Sequence, residues 1–71
     1  MSDYGEYAEV VPRLREKMAR FEKAIDRTRS THAGDPIDVV RGVLAAELAS
    51  EGITTEAAII EELAGQIASG P

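Results

Sequence analysis

Residues 4–28 read YGEYAEVVPRLREKMARFEKAIDRT, and along them Tyr4, Tyr7, Val11, Leu14, Met18, Phe21, Ile25 and Thr28 recur at intervals of 3, 4, 3, 4, 3, 4 and 3. Alternating steps of three and four average about 3.5 residues, close to the roughly 3.6 of one helical turn. They mark an α-helix that shows one narrow apolar seam to a neighbour. Asp3 followed by Glu6 suits a capping box at its start. Pro12 interrupts the pattern, because a proline inside a helix removes a hydrogen bond and crowds the preceding turn. Residues 3–11 are either a separate short helix ahead of Pro12, or one long helix kinks there. The seam keeps its phase across Pro12, which favours a kinked or nearly continuous helix over about residues 3–30.

Downstream, Arg29 to Gly34 has the chemistry of a loop, and Asp35, Pro36 and Asp38 suit the N-cap, first turn and dipole end of a second helix. That helix is expected over about residues 36–51, with Ile37, Val40, Leu44 and Leu48 on one face and Val43 at its edge. Gly52 can take the left-handed conformation that closes it, with Ile53 folding back on Leu48. Thr54 or Thr55 would cap a third helix over about residues 55–68, burying Ile59, Ile60, Leu63 and Ile67. Gly42 and Gly65 inside these helices mark either tolerated exposed positions or a close helix approach. The expectation is a single all-α domain of three helices, helix 1 packing across a helix 2–helix 3 hairpin.

Size bounds what such a chain can do alone. At 71 residues it buries only about 60–65% of its unfolded surface, which leaves a lone core marginal. Without Cys it has neither disulfide nor thiolate metal site, and small scaffolds of that kind rely on well-packed helices or on self-association. Three aromatic residues and no Trp make the core aliphatic. The longest apolar run, Val43 to Ala46, is far too short to span a bilayer, and the acidic start Met-Ser-Asp-Tyr is unlike a secretory leader. A cytoplasmic location without membrane association is expected.

Charge is segregated along the chain. Residues 1–11 carry −3, residues 12–31 carry +4, residues 32–41 carry −1 and residues 42–71 carry −5. A basic element and an acidic surface must face each other, another copy or a partner. Arg13, Arg20 and Arg27 recur every seven residues, flanked by Lys17 and Lys23, and form a basic stripe well round from the seam. Glu16 can neutralise Arg20, and Glu9 Arg13. The acidic face comprises Glu47 and Glu51 on helix 2 with Glu61 and Glu62 on helix 3.

Catalysis is poorly supported: the single histidine, His32, stands in the first loop, and no serine sits between a base and an orienting group. No cofactor or metal is expected. Glu47 and Glu51, four apart, could hold a hard cation only loosely and fit a solvated face better. Helix 2, Gly52 and helix 3 have the outline of a helix-turn-helix. Helix 3 nevertheless offers three Glu, one Gln and no positive charge, the wrong chemistry for phosphates and base edges.

No motif is specific enough to name a family. The expectation is a non-enzymatic protein-interaction or regulatory module, self-associating or bound to a protein partner. The seam (Tyr7, Val11, Leu14, Met18, Phe21, Ile25) would supply affinity and the charged faces orientation. The plainer reading of the seam is internal core against helices 2 and 3, which needs no function. As an intermolecular seam, its clean stretch after Pro12 spans barely two and a half heptads, and Arg15 and Arg29 would repel their equivalents in a parallel pair. An antiparallel or mixed arrangement fits better. Two alternatives stand beside it: a nucleic-acid accessory protein using the basic face of helix 1, and an acidic inhibitor in which helices 2 and 3 mimic nucleic acid.

Overall fold

The computed structural model describes residues 4–70, with side chains from residue 10 onward. The capping box at Asp3 and the side chains of Tyr4 and Tyr7 lie outside the described residues. Three α-helices follow one another: α1 (Tyr4–His32), α2 (Ile37–Ser50) and α3 (Ala57–Ala68). The domain is all-α, with α1 packed on α2 and α2 on α3.

α1 is a single helix with Pro12 inside it, neither broken there nor ended at residue 30. Two features sustain it through the proline. Residues 13–24 are rich in strong helix formers (Arg, Leu, Glu, Lys, Met, Ala). Pro12 itself is exposed, so its ring meets no neighbouring helix. At the other end Thr28 and Thr31 return their hydroxyls to the carbonyls of Ala24 (2.9 Å) and Arg27 (2.9 Å). The helix therefore runs through Arg29 to His32, where a loop is expected from composition.

The chain turns over residues 33–36, and Asp35 does not cap α2. Its N–H donates to the His32 carbonyl (3.0 Å), while the Pro36 carbonyl accepts from Val39 and Val40 (3.0 and 3.1 Å). Pro36 thus holds the N-cap position and the helix starts at Ile37, without a side-chain cap bond. Thr54 and Thr55 likewise give way to Glu56, whose carbonyl receives Ile59 and Ile60 (3.0 and 3.1 Å), and α3 begins at Ala57.

The α2–α3 corner closes as the sequence suggests. Gly52 has φ +74°, its N–H donates to Ala49 (3.0 Å), and the Ile53 N–H donates to Leu48 (2.9 Å). This pair of bonds is the Schellman closure, and it folds Ile53 against the core.

The core is small. Ala24 of α1, Val40, Leu44 and Leu48 of α2, and Ala64 and Ile67 of α3 are buried, with Phe21, Ile25, Ile53, Ile60 and Leu63 packed around them. Thr28 is buried too, and its hydroxyl is satisfied on its own helix, which lets a polar residue occupy a core position. The buried edge of α3 passes through Ala64 rather than Ile59, which is 44% exposed. Ile59 and Ile60 are adjacent and cannot both face inward, and the methyl of Ala64 allows close approach.

The end of α3 docks on the α1–α2 turn, where the Gly34 N–H donates to the Ile67 carbonyl (3.1 Å). A Cβ at Gly70 would stand 2.9 Å from that carbonyl and 3.2 Å from Ala33 Cβ, so only glycine fits. Gly65 faces Ile37 Cδ1 at ordinary contact distance, whereas Gly42 looks onto open space.

Leu44→Ala removes the largest fully buried side chain and is expected to cost about 2–5 kcal/mol in urea unfolding, a severe loss for a domain this small. Gly70→Ala is expected to cost about 1–3 kcal/mol by forcing the turn and the α3 terminus apart, read from the same titration.

Candidate interaction surface on helix 1

The lengths of the helices leave α1 half covered. Its 29 residues extend about 43 Å, while α2 and α3 have 14 and 12 residues and reach about half as far. The molecule measures 51 × 21 × 19 Å. Because α3 returns to the α1–α2 turn and the Gly52 corner lies beside Phe21, the hairpin covers α1 from Phe21 to His32 only. Residues 4–20 project past it by about 25 Å.

The seam is divided at that point. Phe21 and Ile25 pack on the core and the neighbouring Ala24 and Thr28 are fully buried. Val11, Leu14 and Met18 are 39, 53 and 64% exposed. Steps of seven residues connect the halves: Ile25 leads back to Met18 and Val11, Thr28 to Phe21 and Leu14, and Ala24 to Lys17 and Val10. Seven residues fall about 20° short of two turns. The uncovered strip is therefore the same face of α1 that packs on α2. Val10, 44% exposed, widens the strip. The three–four spacing passes over it, and only its place one heptad before Lys17 and two before the buried Ala24 reveals it.

Where the strip meets the hairpin, Leu14, Lys17, Met18, Phe21 and Ile53 line an open apolar groove of about 220 Å³. Ile53 is there because the Schellman closure turns the chain back across the end of α2. Lys17 contributes its alkyl stem to the groove wall, as long basic side chains commonly do beside apolar surface.

The charged faces are partly turned on each other. Arg27, expected in an exposed basic stripe, reaches across to α2, with its Nη1 3.4 Å from Glu51 Oε2 and 3.8 Å from Glu47 Oε1. Arg13 and Arg20 share its side of α1 and remain exposed, as do Lys17 and Lys23. Arg20 pairs with Glu16 at 3.6 Å.

Arg41, which charge counting left unassigned, ties α2 to α3 through Nη2 to Glu61 Oε1 (2.6 Å) and bonds Asp38 through Nη1 (3.1 Å). Its Nε is buried without an acceptor. The hydrogen bond and charge of Glu61 raise the Arg41 guanidinium above its ordinary value, desolvation opposing and Asp38 adding to the rise. A raised folded value stabilises the fold below the ordinary arginine range and is lost only as pH climbs through it. Arg41 thus adds no pH dependence near neutrality. Of the expected acidic face, Glu47, Glu51 and Glu61 are engaged with arginines, and Glu62 stays exposed.

His32 closes α1, half-buried, with Nδ1 2.6 Å from the Thr31 hydroxyl. Among the described residues no three His, Asp or Glu side chains come together as a metal site, and no helix is long and apolar enough to cross a membrane. No protein-family model, curated protein or solved structure matches this chain significantly.

Arg27→Ala is expected to lower stability by up to about 1 kcal/mol at low salt, because its partners are partly shielded but the guanidinium is half exposed. Repeating the urea titration in molar salt should shrink the difference between the variant and the parent.

Proposed function

We propose that the protein is a non-enzymatic helical interaction module that self-associates through the uncovered half of the α1 seam. The observation that carries this reading is the exposure of Val10, Val11, Leu14 and Met18 in one strip, continuous with the core-facing side of the same helix. Singly exposed apolar residues are ordinary on any protein surface. An aligned set that ends in an apolar groove supports the reading of a helix-on-helix interface.

The chain's economy points the same way. Six buried apolar residues among the described ones make a slight core, and covering the strip would add burial to it. Arg13, Lys17 and Arg20 border the strip and would set orientation and association rate. A cytoplasmic location goes with this reading, since nothing in a cysteine-free chain calls for an oxidising compartment.

The other two candidates draw less support. As a nucleic-acid mimic, the hairpin would present carboxylates to a basic target, yet Glu47, Glu51 and Glu61 already face Arg27 and Arg41. As a nucleic-acid accessory protein, α1 would offer Arg13, Lys17 and Lys23, but without Arg27 the stripe is shortened. A gel shift at low salt that weakens steeply with added salt would favour that alternative.

Sedimentation equilibrium over a concentration series decides the main reading. The expected result is a species of twice 7.6 kDa that persists in high salt. Leu14→Glu and Met18→Glu should return it to monomer with helical circular dichroism unchanged, because both side chains are exposed in the single chain. A monomer at every concentration would overturn the proposal.

A further inference from the structure

Resting on that reading, we infer that the occupant of the uncovered strip is a second copy of this chain laid antiparallel, with α1 on α1 and the two hairpins at opposite ends. Sterics, register and charge each support this arrangement.

The steric argument follows from the strip and the core sharing one face of α1. A partner helix lying parallel along Val11, Leu14 and Met18 would continue in the same direction past Phe21. There α2 already occupies that face, with Ala24 and Thr28 fully buried beneath it. The partner would also bring its own hairpin to the same end. An antiparallel partner instead enters with the N-terminal end of its α1 towards the hairpin. Its own hairpin then lies beyond the other tip.

The register follows from matching the seam of one copy to that of the other. In antiparallel helix pairs the two seam positions of the heptad alternate across the interface, so a residue of one type meets the other type on the partner. Pairing Val11 with Leu14 of the second copy, residue 7 with Met18, and residue 4 with Phe21 uses every seam position from the start of α1 to the hairpin. The first turn of each α1 then reaches the groove between Met18, Phe21 and Ile53 of the other. Extending the overlap further would drive the tip into α2. The two-fold axis passes between Val11 and Leu14, and the contact closes on itself, using the same patch on both copies.

Charge agrees with this register. Residues 4–11 of α1 carry −2 (Glu6 and Glu9). Residues 14–21 carry +2 (Arg15, Lys17 and Arg20 against Glu16). Antiparallel overlap lays each −2 segment along a +2 segment, twice over. A parallel overlap would set −2 on −2 and +2 on +2. Along the flanks, Arg15 comes beside position 8 of the partner, an alanine, instead of beside another Arg15. Like-charge repulsion across a pair is a strong discriminator of orientation.

The native chain has no cysteine, so disulfide capture is unambiguous. Tyr7→Cys and Met18→Cys are made as separate full-length proteins and oxidised alone and as an equimolar mixture. In the antiparallel pair, positions 7 and 18 of opposite copies adjoin, whereas position 7 lies about 16 Å along the axis from its own equivalent, and so does position 18. Disulfide-bonded dimer is expected almost wholly as the mixed species, at least tenfold over either variant oxidised alone. Efficient dimer from each variant alone, with little mixed species, would overturn the antiparallel arrangement.

Sedimentation of the reduced variants separates the two levels of the argument. Dimers that capture like with like sink this inference and leave self-association standing. Monomers of the native chain sink both. Loss of the dimer in one cysteine variant alone is resolved by Val11→Cys mixed with Leu14→Cys, which must also capture the mixed species if the register holds.

Discussion

Everything distinctive about this molecule follows from a mismatch of helix lengths on a shared face. An apolar stripe that keeps its phase along a 29-residue helix would need a neighbour along its whole length to be buried throughout. The hairpin built from 14 and 12 residues supplies one for about two fifths of it. Gly52 decides where cover ends, because the left-handed residue there reverses the chain and sends α3 back towards the α1–α2 turn. A longer α2 would have buried Met18 and Leu14. The corner at Gly52 leaves them in water and places Ile53 beside them instead.

The charges obey the same geometry. The basic segment of α1 and the acidic hairpin could have been separate surfaces for separate partners. Where the two overlap in space they meet: Arg27 with Glu47 and Glu51. Beyond the corner no acidic helix lies alongside, and Arg13, Arg15 and Lys17 face solvent. Exposed ion pairs of this kind add little stability. Their larger effect is on specificity: Arg27 favours the packing in which the C-terminal end of α2 lies beside α1, and Arg41 sets α3 against α2 through Glu61.

Much of this was legible in the sequence and some of it could not be. The three–four spacing identified α1 and its face, because periodicity is a property of the segment alone. Gly52 followed by Ile53 identified the corner for the same reason, since a Schellman closure involves only six consecutive residues. The division of the seam was hidden because burial of Phe21 and exposure of Met18 depend on where a distant hairpin ends. The caps expected at Asp35, Thr54 and Thr55 do not form because the helices start one or two residues later, with Pro36 and Glu56 at the N-cap positions and no side-chain cap bond. The burial of Ala64 was missed because a methyl group carries little hydrophobic signal, although it is what allows two helices to approach. The role of Gly70 comes entirely from a contact with Ile67 and Ala33, which no local pattern encodes.

A helix with an uncovered strip is also a helix under competing demands. Pro12 lies in the projecting part, at a position where the lost hydrogen bond is not offset by packing within the single chain. Placed instead in the covered half, the same proline would disturb the contact with α2 on which the core depends. Its place in α1 is on the side away from the strip, one residue from Val11 and two from Leu14, so a helix packed on the strip would not meet its ring. The projecting segment is thus the least stabilised part of α1 in isolation and the part with most to gain from a partner. α1 is nevertheless helical from Tyr4 onward, with its covered end held on the core from Phe21. A pre-formed helix presents its apolar side chains already in register. A helix docking on the strip would then have to supply only burial, because the surface it meets is already helical.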